Sequence, residues 1–506
     1  MNGIPVLLPE ELQAIEARAA AAGGESLMRK AGRAVAELAR AMATDTGDPI
    51  LVVAGPGNNG GDAWVAAGQL AKGFHRVVVL DAAGTAPKAP EARAARQAFE
   101  SGGGSVAREW PAGLRPALVI DGLLGVGLAR DVDPAFHAII ERMGRAGAPI
   151  LAIDVPSGLD SRTGRVRGIA VRATRTLTFI AEKPGLRTRD GPDHCGRIDC
   201  DDLGVGAEAA REAKGSLLTP ATVRGWLAPR PRNSHKGDFG TLAVVGGNRG
   251  MVGAAILAGR AALLAGAGRV YVALLGADAP AVDLAQPELM LRSLDDALAA
   301  DVIVAGPGAG RSPSSTSPSI FERTTLPALL ARPVPLVLDA DALNAIAFDP
   351  ALQRAVGERE SPTILTPHPA EAGRLLGEST AQVQDDRLAA ALALAKRFRA
   401  DVVLKGAGSV CAFPDGRWAV NATGNPGLAA AGSGDVLAGI IGAMLCQGLE
   451  ADRALAYAVC AHGAAADACV ARGDGPVGLT ASEVAREARA VINRWTASAG
   501  AGEGDR

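Results

Sequence analysis

Short apolar runs of strand length recur along this chain, and stretches of helical periodicity separate them. The first series is Ile50–Ala54, Arg76–Asp81, Ala117–Asp121, Ile150–Asp154 and Arg175–Ile180, with amphipathic stretches such as Lys88–Ser101 and Pro134–Arg145 between. A second series begins at Leu242–Gly246. It continues with Val270–Leu274, Val302–Ala305, Leu336–Asp339, Thr363–Thr366 and Val402–Lys405. Strand alternating with helix calls for a parallel sheet covered by helices on both faces, so the fold class is α/β. With 506 residues the chain exceeds a single core, and two series imply two domains. The polar and Pro-rich stretch around 205–232 is the expected seam. The expected division is 1–213, 214–498, and a disordered tail at 499–506. Residues 9–43 read as two helices broken at Gly23-Gly24, and Asp435–Cys446, Arg453–Ala471 and Ser482–Thr496 as closing helices.

Charge narrows the function. Lys and Arg number 52 and Asp and Glu 54, a formal balance of −2, and aromatics are 3%. Neither a basic field nor a base-stacking surface is offered, so no nucleic-acid partner is expected. The opening "MNGIPVLLPEELQ" lacks a basic leader, and no apolar run of membrane length escapes Gly, Pro or charge. A cytoplasmic location with no membrane partner is therefore expected. The six cysteines show no metal-site spacing, and Cys446 and Cys460 read as buried small hydrophobes.

The segment "VAGPG" occurs twice, at Val53–Gly57 and Val304–Gly308, each after an apolar run. The downstream flanks differ, "NNGGDAW" after the first copy and "AGRSPSS" after the second. That difference argues for one loop solution used twice rather than a duplicated domain. In the first half, polar residues gather where three strands end: "GPGNNGGDA", "DGLLGVGLARD" and "DVPSGLDSRTG". Such ends line the ligand crevice of an open parallel sheet. Gly55, Gly57, Gly60 and Gly61 let backbone approach an anion, and the helix beyond them offers free N–H groups. Asn58-Asn59, Asp121 and Ser157 make an oxygen-only set suited to a monovalent cation rather than zinc. A plain turn at Asn58-Asn59 and strand-end capping by Asp121 or Asp154 are the competing readings. Asp154, a carboxylate beside a phosphate loop, suits proton handling at a hydroxyl-bearing carbon.

Over about residues 5–205, "VAGPGNNGGDAW", "DGLLGVGL" and "DVPSGLD" resemble the YjeF N-terminal family of NAD(P)H-hydrate epimerases. The resemblance implies a Rossmann-like fold. It implies that Asn58, Asn59, Gly60, Gly61 and Asp62, with Gly125, Val126, Gly127, Leu128, Ala129, Arg130 and Asp131, hold the hydrated nicotinamide nucleotide. Asp154 would touch the ligand near the reacting ring, and Asn59, Asp121 and Ser157 would bind K⁺. Ala63 stands where the family usually has Gly, and Asp131 where Pro is common.

In the second half, "TGNPGLAAAGSGDVLAGIIGAML" runs a glycine loop, Gly432-Ser433-Gly434, into an apolar helix with Asp435 in its first turn. An anion hole beside a carboxylate suits phosphoryl transfer, although an ordinary Asp cap would look similar. "LTPHPAEAGRLL" places His368, as capping residue or ligand contact, after one strand. "VVLKGAGSV" places Lys405 at the end of another, where a solvated hairpin is the competing reading. Asp339, Asp341 and Asn344 read equally as helix caps or as site support.

With "HKGDFGTLAVVGG" and "AGPGAG", these stretches resemble the ADP/ATP-dependent NAD(P)H-hydrate dehydratases of the ribokinase-like superfamily, over about 215–498. The resemblance implies that Lys405, Gly406, Ala407, Gly408, Ser409 and Gly434 bind the adenine nucleotide. Ala254, Gly308, His368 and Asp435 would contact the hydrate, with Asp435 the catalytic base. Ala430 and Ala431 depart from the usual residues before the loop.

The two halves together are read as a bifunctional repair enzyme. One half would interconvert the R and S hydrates NADHX and NADPHX; the other would dehydrate the S form with ADP as phosphoryl donor and Mg²⁺ on the nucleotide. A homo-oligomer is expected. The alternative is a vitamin-type kinase of small alcohols fused to a nucleotide-binding scaffold.

Overall fold

The computed structural model describes residues 3–43, 47–84, 87, 89–128, 130–310 and 319–500. Its contacts divide it into two compact units, Ile4–Gly215 and the chain from Ser216 onward.

In the first unit, helices α1 (Pro9–Ala22) and α2 (Leu27–Met42) precede the sheet, and α3 (Asn58–Lys72) comes after its first strand. The strands are β1 (Ile50–Ala54), β2 (Val77–Asp81), β3 (Ser105–Ala107), β4 (Leu118–Gly122), β5 (Ile150–Ile153), β6 (Arg175–Phe179) and β7 (Arg197–Asp201). They form one parallel sheet in the order β3-β2-β1-β4-β5-β6-β7. This is the doubly wound order of Rossmann-like folds, whose ligand crevice opens where the order reverses, between β1 and β4.

The alternation of strand side chains builds both faces. Ile50, Val52 and Ala54 pack with α2 and α3 in one core, while Leu51 and Val53 join Ile140 and Met143 in another. Each fully buried aliphatic side chain contributes roughly 1.5–3 kcal/mol of transfer free energy. Edge strand β7, with Arg197, Asp199 and Asp201, has no apolar run, and sequence patterning does not reveal it.

The second unit carries β8 (Thr241–Gly246), β9 (Arg269–Leu274), β10 (Met290–Leu291), β11 (Val302–Ala305), β12 (Leu336–Leu338), β13 (Thr363–Leu365), β14 (Asp401–Leu404), β15 (Val410–Ala412) and β16 (Trp418–Asn421). They are ordered β16-β15-β14-β13-β12-β11-β8-β9-β10. From β14 to β10 the pairing is parallel, and β14–β15–β16 is an antiparallel meander. The order reverses between β8 and β11, so the second VAGPG loop leaves the sheet at the switch point. Helices α4 (Val252–Leu264), α5 (Pro369–Leu376), α6 (Ser433–Cys446), α7 (Ala451–Ala471) and α8 (Ala481–Gly500) belong to this unit. One core cluster joins β8 and β9 to α4, α6, α7 and α8.

Several expectations change. α7 is long and apolar enough to cross a membrane, but 72% of its apolar window is buried, as in a core helix. α8 continues to Gly500, so residues 499 and 500 are helical rather than tail; residues 501–506 lie outside the described residues. All six cysteines are free; Cys460 is buried and Cys446 only partly so.

Candidate active sites

The first site grows from three strand ends. α3 starts directly after Gly57 with no side-chain cap, so its first N–H groups remain available to an anion. The glycines pack these loops backbone to backbone: a Cβ on Gly55 would lie 1.7 Å from the Leu123 carbonyl oxygen, and one on Gly60 2.0 Å from that of Gly55. Ala63 is accommodated because its neighbour across the loop is Gly122, whose added Cβ would stand 2.6 Å from it.

Asp121, at the end of β4, is fully buried. It accepts the Ser157 hydroxyl at 2.6 Å, the Ser157 N–H at 2.8 Å and the Leu123 N–H at 3.2 Å. Asn59 donates its amide to the Leu124 carbonyl at 2.7 Å, and among the described residues nothing bonds its own side-chain oxygen. Burial pushes the Asp121 carboxyl up to about 6 against the pull of these neutral donors. A buried carboxylate held only by neutral groups fits a monovalent cation.

A cavity of about 1390 Å³ lies against these loops, lined by Asn58, Asn59, Asp62, Gly125–Leu128, Arg130, Asp154, Lys183 and residues of α1 and α2. Gly60 and Gly61, in the first turn of α3, do not line it; a Cβ on Gly60 would meet the Gly55 backbone and one on Gly61 the Met28 and Ala92 side chains. Asp131 is exposed and is not among its lining residues. Ala129 lies outside the described residues.

Asp154 has φ +62°, a strained conformation for a non-glycine residue, which turns the chain sharply off β5. Its Oδ1 accepts Thr178 Oγ1 at 2.9 Å, the Phe179 N–H at 3.2 Å, and the ammonium of Lys183. Lys183 is wholly buried, and its remaining protons go to Thr178 Oγ1 at 2.9 Å and the Phe179 carbonyl at 3.0 Å. Its donors are thus consumed within the protein.

The second site is built around α6. Gly432, at φ +85°, delivers the chain into the helix without a side-chain cap. Asp435 sits in the first turn, half-buried. Burial, then the charge of Asp339, pushes its carboxyl up to about 7, with Lys405 pulling the other way. Lys405, leaving β14, reaches Asp339 Oδ1 at 3.0 Å, where Thr366 also donates at 2.6 Å. Burial works against the Lys405 ammonium, but Asp339, Glu371 and Asp435 outweigh it and raise its pKa. The lysine nitrogen lies 3.1 Å from where a Gly434 side chain would begin, directly under the helix N-terminus.

His368 caps α5, its Nδ1 accepting the N–H groups of Ala370 at 3.1 Å and Glu371 at 3.3 Å. Burial and Lys405 lower its pKa. Gly308, at φ +60°, faces α4: its missing Cβ would meet the Met251 carbonyl at 2.5 Å and Ala254 at 3.0 Å. Asp341 receives the Gly310 N–H at 2.9 Å rather than capping its own helix. Asn344 accepts Arg374 at 2.8 Å. In the 405–409 turn, Ser409 Oγ meets the Gly406 carbonyl at 3.2 Å, and the guanidinium of Arg387 donates to the Ala407 carbonyl.

Residues 242–488 match the family described as NAD(P)H-hydrate dehydratase, and residues 24–185 the family described as YjeF-related protein N-terminus. A bifunctional NAD(P)H-hydrate repair enzyme Nnr from Escherichia coli is 38% identical over 479 residues, covering 92% of this chain and 89% of that protein. Its counterpart from Moorella thermoacetica is 37% identical, covering 83% and 82%. The chain belongs to the bifunctional NAD(P)H-hydrate repair enzymes. Among solved structures, an ADP/ATP-dependent NAD(P)H-hydrate dehydratase from Bacillus subtilis, co-crystallised with ATP and Mg²⁺, is 30% identical. It covers 55% of this chain and 98% of its own, with a TM-score of 0.47.

Against that family, the structure adds residues that sequence reading passed over. Lys183 sits in "FIAEKPGL", just beyond β6, and only the tertiary fold brings it to Asp154. Glu371, buried and pushed up to about 7 by burial, stands beside His368 and in the field of Lys405. His462 is hidden in the Ala-rich α7, its Nε2 3.4 Å from the hydroxyl of Ser433. Burial and Lys405 hold its pKa down to about 4, so it is neutral behind the helix start.

Proposed function

We propose that the first unit interconverts the R and S hydrates of NADH and NADPH, and that the second dehydrates the S form using ADP. The observation that carries the second half is Asp435: a carboxylate with no bonded partner among the described residues, pushed up to about 7, beside a helix N-terminus without a side-chain cap and the half-buried Lys405. Such a group takes a proton efficiently at physiological pH. Asp435 would remove the proton of the C6 hydroxyl as its oxygen attacks the β-phosphate of ADP. Developing charge would meet the N–H groups at Gly434 and Asp435 and the Lys405 ammonium. AMP departs, and phosphate then leaves C6 with help from the ring nitrogen lone pair, a far better leaving group than hydroxide. Lys405 to Ser409 would hold the adenine nucleotide; Ala254, Gly308 and His368 would border the hydrate.

Mg²⁺ would enter on the nucleotide's phosphates, whose oxygens suit a hard cation. In the first unit Asn59, Asp121 and Ser157 would hold K⁺, whose charge would steady the loops that bind the nucleotide. Asn58, Asn59, Asp62, Gly125 to Leu128 and Arg130 line the cavity that would seat that nucleotide, with Asp154 at the reacting ring.

The test is a mixed R and S hydrate sample given the enzyme and ADP. Recovery of the whole dihydropyridine absorbance is expected, with stoichiometric AMP. Recovery of the S fraction alone would remove the epimerase half, and no recovery would remove both.

A further inference from the structure

Inverting the hydroxyl-bearing carbon of the hydrated ring takes two proton transfers. The hydroxyl needs a proton before its C–O bond breaks, and the water that adds on the opposite face must lose one. A single ionised carboxylate serves only one of these. The cavity of the first unit contains a second candidate. Asp62, the fifth residue of α3, lines the same cavity as Asp154. It is half-buried, and among the described residues no donor hydrogen-bonds its carboxyl group.

The two carboxyls are set apart by their neighbours. Asp154 receives Lys183, Thr178 and a backbone N–H. Asp62 faces like charge alone, from Asp154, Glu16 on α1 and Glu91. Lys30, Arg130, Glu25 and Glu208 line the cavity elsewhere, and Lys183 is committed to Asp154. Burial, then those charges, hold Asp62 well above the usual carboxylate range. One carboxyl held by a cation and two further donors, and one with no donor in the same cavity, are suited to different roles in proton transfer.

We propose that Asp62 is a second catalytic residue of the epimerase site, the acid that protonates the departing C6 hydroxyl, while Asp154 takes the proton of the incoming water. This rests on the epimerase reading of the first unit. The Asp62 proton passes to the hydroxyl, the C–O pair leaves with oxygen as water, and the ring nitrogen lone pair forms C6=N⁺. Water adds to the other face of C6, its proton goes to Asp154, and the C=N pair returns to nitrogen. Nothing is oxidised, and water is the only co-reactant. The enzyme is left with Asp62 ionised and Asp154 protonated, the state that runs the reverse reaction; exchange with solvent resets it.

The test uses the full chain carrying Asp62→Asn, with R to S conversion followed by chromatography in oxygen-labelled water. Dehydration of supplied S hydrate by the same sample reports that the chain is folded. Expected are a fall in epimerisation kcat of about 100-fold or more with KM nearly unchanged, and partial recovery in Asp62→Glu. The rate of the wild type should fall as pH rises through the Asp62 titration, and the variant should lose that limb. Label should enter the product hydroxyl in the wild type. A variant with wild-type rate and pH profile, a loss confined to KM, or retention of the original oxygen would each overturn the assignment. A wild type that does not epimerise at all would instead overturn the reading beneath it.

Discussion

Both units place a lysine against a carboxylate at the end of a parallel strand, and the pairs do opposite things. In the first unit Lys183 bonds to Asp154, the carboxylate assigned to proton transfer. In the second, Lys405 bonds to Asp339, and Asp435, half-buried, has no bonded partner among the described residues. The first arrangement fixes an orientation. The second lets burial and like charge push Asp435 up to about 7, while the lysine stays beneath a helix N-terminus without a side-chain cap. A lysine–carboxylate pair is thus not in itself a signature of either role; what decides is which carboxylate the lysine leaves alone.

The sharpest way to break this contrast is to neutralise each acid in the full chain. Asp435→Asn should lower the dehydration rate by about 10³-fold or more and leave R to S conversion intact. Asp154→Asn should slow epimerisation by about 10²-fold or more, without touching dehydration of the S form, and it strands the Lys183 ammonium. Kinetics of the two half-reactions on one preparation check both. If either substitution silenced both reactions, the units would not hold separate sites.

A smaller effect concerns Asp121. Its carboxyl titrates near 6 in the folded unit, against ~3.9 when unfolded. Over that window the folded state binds more protons, so stability is lost as pH rises. K⁺ needs the ionised form, so added K⁺ should raise the melting temperature of the first unit by a few degrees above about pH 6, on the order of 2–4 °C per kcal/mol. It should do little below that pH, and nothing in Asp121→Asn. Calorimetry with Na⁺ as control decides it.

Much of this was legible in sequence because glycine and aspartate mark strand ends. Gly432–Asp435 marked the start of an apolar helix from local residue types alone, with an Asp cap left open; the first glycine stretch was legible too, but the helix begins at Asn58, so Gly60 and Gly61 lie inside it rather than before it. The rest depended on tertiary contact. Lys183 lies far along the chain from Asp154 and looks like a surface lysine beside a proline. His462 lies in a helix whose composition reads as core. Asp131 has the right place in its motif but lies exposed, away from the cavity lining. His368 serves as a helix cap, an alternative that sequence left open. Strand β7 escaped because an edge strand with charged side chains carries no apolar run.

The central claim, that Asp435 is a base tuned by burial and by its neighbour Asp339 rather than by a bonded lysine, is tested most directly by the pH dependence of dehydration. The wild-type rate should rise with pH and level off above about 7, as Asp435 ionises. In Asp339→Asn the nearby negative charge is gone, so the same limb should move to lower pH. A limb that stays in place in Asp339→Asn, or a wild-type rate flat across neutrality, would contradict the account.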